Sequence, residues 1–269
     1  MSGREQREET TSPTGYPPAP RRVRPARLKL VGRVDDRRVA LRGAIFDADG
    51  RRVVVAVSKG LWDELLQLAG DGLLLALAQG VEGAPDLARR CAEQLRERAW
   101  EGDDDLADQL DAALGDRPAP MLRPLLVDLE ELAGILEGDP AHGGGRIDLR
   151  TGEVWPQAAI DYAREENDDD PDDEDPDRWL PVWCEGSRAA YGDMEDFIEA
   201  LSDRDRADRL SIAISGRGAF RRFKDVLGRW PDELEAWYGF SEERQRGRAR
   251  AWLVAAGYSA RVPGRPTAP

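Results

Sequence analysis

Residues 216–225 read GRGAFRRFKD, and the fold prediction starts here because a glycine corner leads directly into a two-faced helix. If this helix begins at Gly218, its 3.6-residue period separates the side chains into two faces. The apolar face consists of Ala219, Phe220, Phe223, Val226 and Leu227. The basic face consists of Arg217, Arg221 and Lys224. We therefore predict that both phenylalanines lie in a core and that the cations lie outside it.

Five basic residues of this region are the candidate binding residues: Arg217, Arg221, Arg222, Lys224 and Arg229. A guanidinium group recognises a carboxylate through two parallel hydrogen bonds, so an arginine-rich face favours another protein as the partner. Nucleic acid is the alternative partner, because the helix, corner and basic helix over 203–227 have the outline of a helix-turn-helix. A helix pair with a solvated basic face and no binding function fits the same pattern.

The overall charge disfavours general affinity for nucleic acids or anionic membranes, because 53 acidic residues oppose 39 basic ones. No apolar run approaches the roughly 18 to 20 residues of a membrane span, and the N-terminus lacks the apolar core of a signal peptide. The distant cysteines Cys91 and Cys184 indicate neither a disulfide framework nor a zinc site. We expect a cytoplasmic protein without a membrane partner, and its alanine-, glycine- and arginine-rich composition is typical of a GC-rich bacterial genome.

The sequence offers little for catalysis, and we predict a non-enzymatic protein without catalytic residues, metal ligands or cofactors. His142 is the only histidine and stands beside three glycines, which is more typical of a flexible loop residue than of a general base. Paired carboxylates such as Asp193 with Asp196 fall on a predicted helix, where they are typical of a solvated acidic face.

The N-terminal part predicts a small sheet followed by helices. Residues 1–26 lack large apolar side chains and predict a disordered tail. In the turn DADG at 47–50, Gly50 is expected to take the positive φ of a hairpin, and Ser58 is expected to cap a helix. Three runs predict strands: 28–34, 39–46 and 53–57. Two amphipathic runs predict helices, 85–100 and 103–114, and complete an α+β domain over 27–115.

Residues 116–124 contain three prolines and predict a linker to a second domain over 125–258. Asp128 is expected to cap a helix over 129–136, and residues 146–155 predict a β-hairpin. A short helix over 158–163 and a strand over 179–183 are predicted after it.

An acidic segment interrupts this domain, since residues 165–177 contain ten acids and two prolines. Self-repulsion predicts a disordered loop. The loop is either a solubilising spacer or a tethered competitor for the basic helix, and the sequence leaves both alternatives open.

The remainder of the second domain predicts a helical bundle. Ser187 and Ser202 are expected to cap its first two helices. After the basic helix, residues 230–238 and 241–256 predict two separate helices, and 259–269 predict a disordered tail. The predicted fold class is therefore α+β, with a small N-terminal sheet and helices followed by a hairpin and a helical bundle.

Several short strings of the second domain carry a resemblance to a known family. They are IDLRTGEV at 147–154, DRWLP at 177–181, MEDFI at 194–198, GRGAFRRFKD at 216–225, WYGF at 237–240 and AWL at 251–253. Together they make 125–258 resemble the bacterial group catalogued as uncharacterised protein family 0158, with GRGAFRRFKD as the most specific string. The resemblance implies a bacterial α+β domain and carries over no activity, cofactor, substrate or catalytic residue.

Limited proteolysis tests this domain plan. The first cuts are expected within 116–124 and 165–177, because exposed and unpacked backbone is the preferred protease substrate. Mass spectrometry of the early fragments identifies the cleaved bonds. Early cuts inside 27–115 or 178–258 would refute the plan.

Overall fold

The computed structural model describes residues 34–60, 65–165 and 175–261. Its helices are α1 (Val34–Phe46), α2 (Gly50–Ser58), α3 (Leu66–Ala78), α4 (Ala84–Arg98), α5 (Asp103–Leu114), α6 (Leu129–Leu136), α7 (Gln157–Glu165), α8 (Arg188–Ala200), α9 (Arg204–Ile214), α10 (Ala219–Leu227) and α11 (Pro231–Ala255). Its strands are β1 (Arg123–Leu126), β2 (Gly145–Asp148), β3 (Val154–Pro156), β4 (Trp179–Val182) and β5 (Tyr258–Arg261). β1 pairs in parallel with β5, and β2 lies between β3 and β4 in an antiparallel sheet. The predicted α+β fold class is confirmed.

Some predicted segments lie outside the described residues. These are the tail over 1–26, most of the strand over 28–34, all of the acidic segment except residues 165 and 175–177, and the C-terminal residues from 262 onward.

The strands predicted over 39–46 and 53–57 are wrong, because these runs lie in helices α1 and α2. In α2, Val53 and Val57 are one helical turn apart and both are buried. In α1, Leu41 and Ile45 have the same spacing and are buried as well. These stripes join one apolar core with α3, α4 and α5, and this packing outweighs the weak strand preference of β-branched residues.

The turn predicted at 47–50 is a corner between two helices. The positive φ belongs to Ala48, at 51°, whereas Gly50 is already the first residue of α2. A Cβ at Gly50 would come within 2.8 Å of the Cα of Ala76, so this glycine permits close packing of α2 on α3. Asp49 caps α2 by accepting hydrogen bonds from two N–H groups of the first turn.

The serine caps are corrected by the structure, while the aspartate cap is confirmed. Ser58 is the last residue of α2 and caps no helix start. Ser187 stands before α8 but its side chain makes no capping hydrogen bond, and α9 is capped by Asp203 and not by Ser202. Asp128 caps α6 as predicted. Carboxylates suit these positions because they also interact favourably with the helix dipole.

The remaining predictions for the middle of the chain are confirmed in their element type. The helices over 85–100 and 103–114 are α4 and α5, and the hairpin is β2 with β3. The strand over 179–183 is β4, which joins the hairpin as a third strand. β1 begins at Arg123 within the predicted linker, and β5 includes residues 259–261, so the tail predicted from 259 is wrong in its first three residues.

The two helices predicted over 230–238 and 241–256 form one helix, α11, of 25 residues. Its first half contributes Trp237 and Phe240 to an aromatic core with α8, α9 and α10. Its second half contributes Leu253 to a core with α6 and both sheets. Packing at both ends stabilises the helix through the unfavourable Gly239 and Ser241 between its halves.

Arginines at every second position of α11 give this helix two charged sides. Arg246 and Arg250 face α3 and both form ion pairs with Asp71. Arg244 and Arg248, offset by half a turn, form ion pairs with Asp193 of α8. The string RQRGRAR at 244–250 therefore joins α11 to helices on opposite sides.

The pair between Arg250 and Asp71 is fully buried, with both side chains 0% exposed and a nitrogen–oxygen distance of 2.6 Å. Arg246 donates a second hydrogen bond to this carboxylate at 2.8 Å, and Arg250 donates to the amide oxygen of Gln67 at 2.9 Å. Burial alone would raise the pKa of Asp71, but the charges of Arg250 and Arg246 outweigh it and hold the pKa below its usual value.

Glu243 of α11 caps the N-terminus of α3. Its carboxylate accepts hydrogen bonds from the N–H groups of Gln67 at 2.7 Å and Leu68 at 3.2 Å. The N-cap position of α3 is Leu65, whose side chain has no acceptor. Arg98 of α4 donates to the same carboxylate at 3.0 Å. A helix start that local residues leave incomplete is thus completed by a residue 176 positions away.

Two glycines allow α11 to touch the turn between α4 and α5. A Cβ at Gly102 would collide with the carbonyl oxygen of Gly247, and a Cβ at Gly247 would collide with the carbonyl oxygen of Glu101. The two backbones therefore meet without intervening side chains. The two-domain plan stays a prediction. If the boundary lies within 116–124, the two domains contact each other directly where Gly102 meets Gly247.

Substitution of Asp71 by asparagine tests the buried network. We expect Asp71→Asn to lower the free energy of unfolding by about 3 to 5 kcal/mol at neutral pH, because two buried guanidinium groups lose their counter-charge. Urea unfolding measures the loss, with Asp208→Asn on the exposed side of α9 as the control.

The loss should also depend on pH. Because the folded-state pKa of Asp71 is lowered, its contribution is present above the unfolded pKa and disappears as the pH falls toward the folded one. The difference between wild type and Asp71→Asn should therefore shrink in acid. Equal unfolding free energies for Asp71→Asn and Asp208→Asn at neutral pH would contradict the role of the network.

Candidate interaction surface

Helices α9 and α10 form a hairpin around the glycine corner that the sequence singles out. Gly216 and Gly218 have φ values of 81° and 75°, a backbone region that other residues adopt only with strain. The corner therefore depends on glycine at both positions. It projects the start of α10 and its basic residues into solvent.

Arg222 holds this corner closed. Its guanidinium donates hydrogen bonds to the carbonyl oxygens of Ala213 at 2.9 Å, Ser215 at 2.7 Å and Gly216 at 3.3 Å, and it also contacts the carbonyl of Arg217. The end of α9 leaves carbonyl groups without helical partners, and Arg222 satisfies them. Of the five predicted binding residues, this one has a structural role.

The apolar face of α10 is narrower than predicted. Phe223 is 1% exposed and packs edge-on against Phe197 and Trp237, so its prediction as a core residue is confirmed. Phe220 is 36% exposed, so the same prediction for Phe220 is wrong. The buried residues of α10 are Ala219, Phe223 and Leu227, spaced by four, and Phe220 lies at the edge of this stripe.

The remaining four cations lie on the surface of the hairpin. Arg221 and Lys224 are three residues apart in α10, which keeps them on one side of the helix, and Arg217 lies in the corner that precedes it. Arg229 lies beyond the C-terminal end of α10, at the other end of a helix about 13 Å long. The side chain of Arg221 is 90% exposed, and among the described residues its ion-pair partner is Asp225, at a long distance of 3.9 Å.

Two exposed apolar side chains flank the corner. Ile212 of α9 is 75% exposed and stands four residues before Gly216, and Phe220 follows the corner on α10. Sequence reasoning missed Ile212, although the helical stripe of Ala207, Leu210 and Ile214 leaves it on the outside of α9. The surface of the hairpin thus combines an aromatic ring, an aliphatic side chain and arginines. We call Ile212, Arg217, Phe220, Arg221 and Lys224 the corner surface.

The charge of the hairpin is opposite to that of the chain. Residues 203–229 contain eight basic and four acidic residues, whereas the whole chain has a net charge of −14. Arg206 is occupied by ion pairs with Asp203 and Glu233. The corner surface contains three cations, and one carboxylate, Asp225, lies 3.9 Å from Arg221, so the local charge is positive.

The carboxylates predicted to form a solvated helix face form ion pairs with arginines of α11. Asp193 is 1% exposed and accepts hydrogen bonds from Arg244 at 2.9 Å and from Arg248 at 2.7 Å. Asp196 pairs with Arg244 at 3.1 Å. The solvated-face prediction is therefore wrong for Asp193, whose charge is balanced by the arginines of α11.

No catalytic arrangement stands out in the described part of the chain. His142 ends a short 3-10 turn, Pro140–His142. Within residues 34–60, 65–165 and 175–261, no group of three or more potential metal-ligating side chains converges. None of the helices in these ranges combines the length and apolarity needed to cross a bilayer.

Comparison with known proteins agrees with the resemblance seen in the sequence. The profile of the uncharacterised protein family UPF0158 matches residues 146–261. A UPF0158 protein of Pseudomonas aeruginosa is 30% identical over 138 residues, which is 49% of this chain and 84% of the relative. The chain belongs to this family. No solved structure matches it.

The UPF0158 match includes the whole of the corner surface and the α11 arginines. It excludes helices α1 to α5, which lie before residue 146. The buried network therefore connects the part shared with the family profile to residues outside it, such as Asp71 and Arg98. The family description states no activity.

Truncation of the two phenylalanines tests the geometry of α10. We expect Phe223→Ala to lower the free energy of unfolding by about 3 to 5 kcal/mol, because it removes a ring packed on all sides. Phe220→Ala should cost less than about 1 kcal/mol, since its ring lies at the surface. Urea unfolding of both variants measures the difference. Similar losses for both would show that Phe220 is packed as deeply as Phe223.

Proposed function

We propose that this UPF0158 protein is a non-enzymatic protein-binding module whose corner surface docks an acidic, partly apolar segment of another protein. The observation that carries the proposal is the exposure of Phe220 and Ile212 on the same helical hairpin as the exposed cations Arg217, Arg221 and Lys224. Protein interfaces are enriched in aromatic residues and arginine, and a few such residues account for most of the binding energy.

Two further features support a docking role. Arg217 and Lys224 have no ion-pair partner among the described residues, so their charges are available to an incoming carboxylate. The corner is also rigid, because Arg222 ties its carbonyl groups and Phe223 anchors α10 in the aromatic core. A rigid surface loses little conformational entropy on binding.

Nucleic acid is the second candidate, favoured by the positive charge of the hairpin and by its helix-corner-helix outline. Two observations make it the weaker candidate. Arg222, which a recognition helix would present to phosphates, is engaged with backbone carbonyls. The net charge of −14 also opposes nonspecific association with nucleic acid. We infer a cytoplasmic location from the same composition.

Charge reversal of the corner surface separates the candidates. The test variant is Arg217→Glu/Arg221→Glu/Lys224→Glu. The control is Arg51→Glu/Lys59→Glu/Arg90→Glu, which changes the net charge equally at exposed residues of α1 to α4. Captured material from a bacterial lysate is quantified with and without nuclease. We expect nuclease-resistant protein capture that falls about tenfold or more in the test variant and persists in the control.

Phe220→Ala provides a second test of the same surface. It should weaken the protein capture while leaving the melting temperature nearly unchanged, because the ring is exposed in the free protein. Capture that disappears with nuclease would favour the nucleic-acid candidate. Equal losses in the test and control variants would assign the binding to net charge and refute the docking surface.

A further inference from the structure

A cavity of about 540 Å³ lies between α3, α5 and the parallel pair of β1 and β5. Its volume falls within the range of small-molecule sites, roughly 300 to 1,000 Å³. Neither α9 nor α10 contributes to its lining, so the cavity is separate from the corner surface. An inference about its occupant therefore does not rest on the proposed function.

One face of the parallel sheet of β1 and β5 forms part of the cavity wall. Register places Leu125 beside Ala260, and both are buried in the core with α6 and α11. Alternation along the strands turns Pro124, Ser259 and Arg261 to the opposite face, where they line the cavity, and Ala260 between them also belongs to the lining. Parallel sheets are almost always covered on both faces, and here the second cover is missing among the described residues.

The cavity walls suit a hydrocarbon. α3 contributes Leu74 and Leu75, α5 contributes Ala112 and Ala113, and Leu122 closes the side next to β1. The short alanine side chains of α5 leave space that leucine or phenylalanine would fill. Apolar ligand surface that leaves water for such walls is stabilised by about 25 cal/mol per Å².

The polar side chains of the lining are Asp71, Gln109, Ser259 and Arg261. The carboxylate of Asp71 is already neutralised by Arg246 and Arg250. Gln109 accepts a hydrogen bond from Arg250, and its amide nitrogen has no hydrogen-bond partner among the described residues. Arg261 stands at the sheet side of the lining, without an ion-pair partner in the same residues. The one uncompensated charge of the lining is therefore positive.

We propose that this cavity binds a small amphipathic carboxylate, such as a medium-chain fatty acid. Its hydrocarbon chain lies between the leucines of α3 and the alanines of α5, and it provides the missing cover of the parallel sheet. Its carboxylate pairs with Arg261, which is the group that selects an anion over a neutral or cationic molecule of the same shape.

Titration calorimetry of the full chain with decanoate, decanol and decylamine tests this site. We expect decanoate to bind saturably with one site per chain, decanol to bind more weakly and decylamine to bind least. Ala112→Phe fills the cavity and should weaken decanoate binding about tenfold or more. Its control is Ala158→Phe, at an exposed position of α7, which should leave binding unchanged.

Arg261→Gln tests the contribution of the positive charge to binding separately from that of the cavity. It should weaken decanoate binding several-fold and leave decanol binding unchanged, while Arg90→Gln on the exposed side of α4 should change neither. Thermal melts check that each variant folds, and Ala113→Leu narrows the cavity more gently if Ala112→Phe does not fold. Absence of saturable decanoate binding, or binding that Ala112→Phe and Ala113→Leu leave intact, would overturn the site. An Arg261→Gln variant with unaltered preference for decanoate would overturn the assignment of the anion.

Discussion

The carboxylate of Glu243 is the point on which the helical arrangement depends. It completes the start of α3, and it receives Arg98 from α4, so one side chain of α11 fixes two helices from the other end of the chain. Burial raises the pKa of Glu243 in spite of Arg98, which shows how strongly the site disfavours an isolated charge. Because a buried charge without its partners costs several kcal/mol, the network is stable only when all its helices are in place.

The requirement that a buried charge has a partner also explains why the basic residues fall into a buried group and an exposed group. The α11 arginines Arg246 and Arg250 neutralise Asp71, and they are unavailable to any partner. The cations of the corner surface are held outward by a short helix whose own arginine, Arg222, is used on the backbone. The net charge of the chain does not show where its basic residues lie. One group is paired with carboxylates in the interior, and the other is exposed on an otherwise acidic protein.

The sequence predicted most elements from residue 125 onward because their signals are local. Asp128 caps the helix that follows it, and the glycines around Arg217 mark a real corner. The N-terminal helices were mistaken for strands because the valine run of α2 has a strong local preference, whereas the contact that decides its conformation lies on α3. The sequence predicted the cations of the candidate site but wrongly placed Phe220 in the core. The exposure of a residue at the edge of an apolar stripe depends on which helices pack beside it. The role of the arginines in α11 was also beyond local patterns, because their ion-pair partners lie between 48 and 179 residues away.

The remote cap of α3 has a consequence for the order of synthesis. A chain that emerges from the ribosome presents α3 long before Glu243 exists, so the first-turn N–H groups of that helix depend on water for hydrogen bonds until 176 further residues have been made. Domains usually fold from the N-terminus as they are made, but here α11 carries the group that completes α3. A chain that ends before residue 243 would leave α3 and Arg98 without their shared carboxylate.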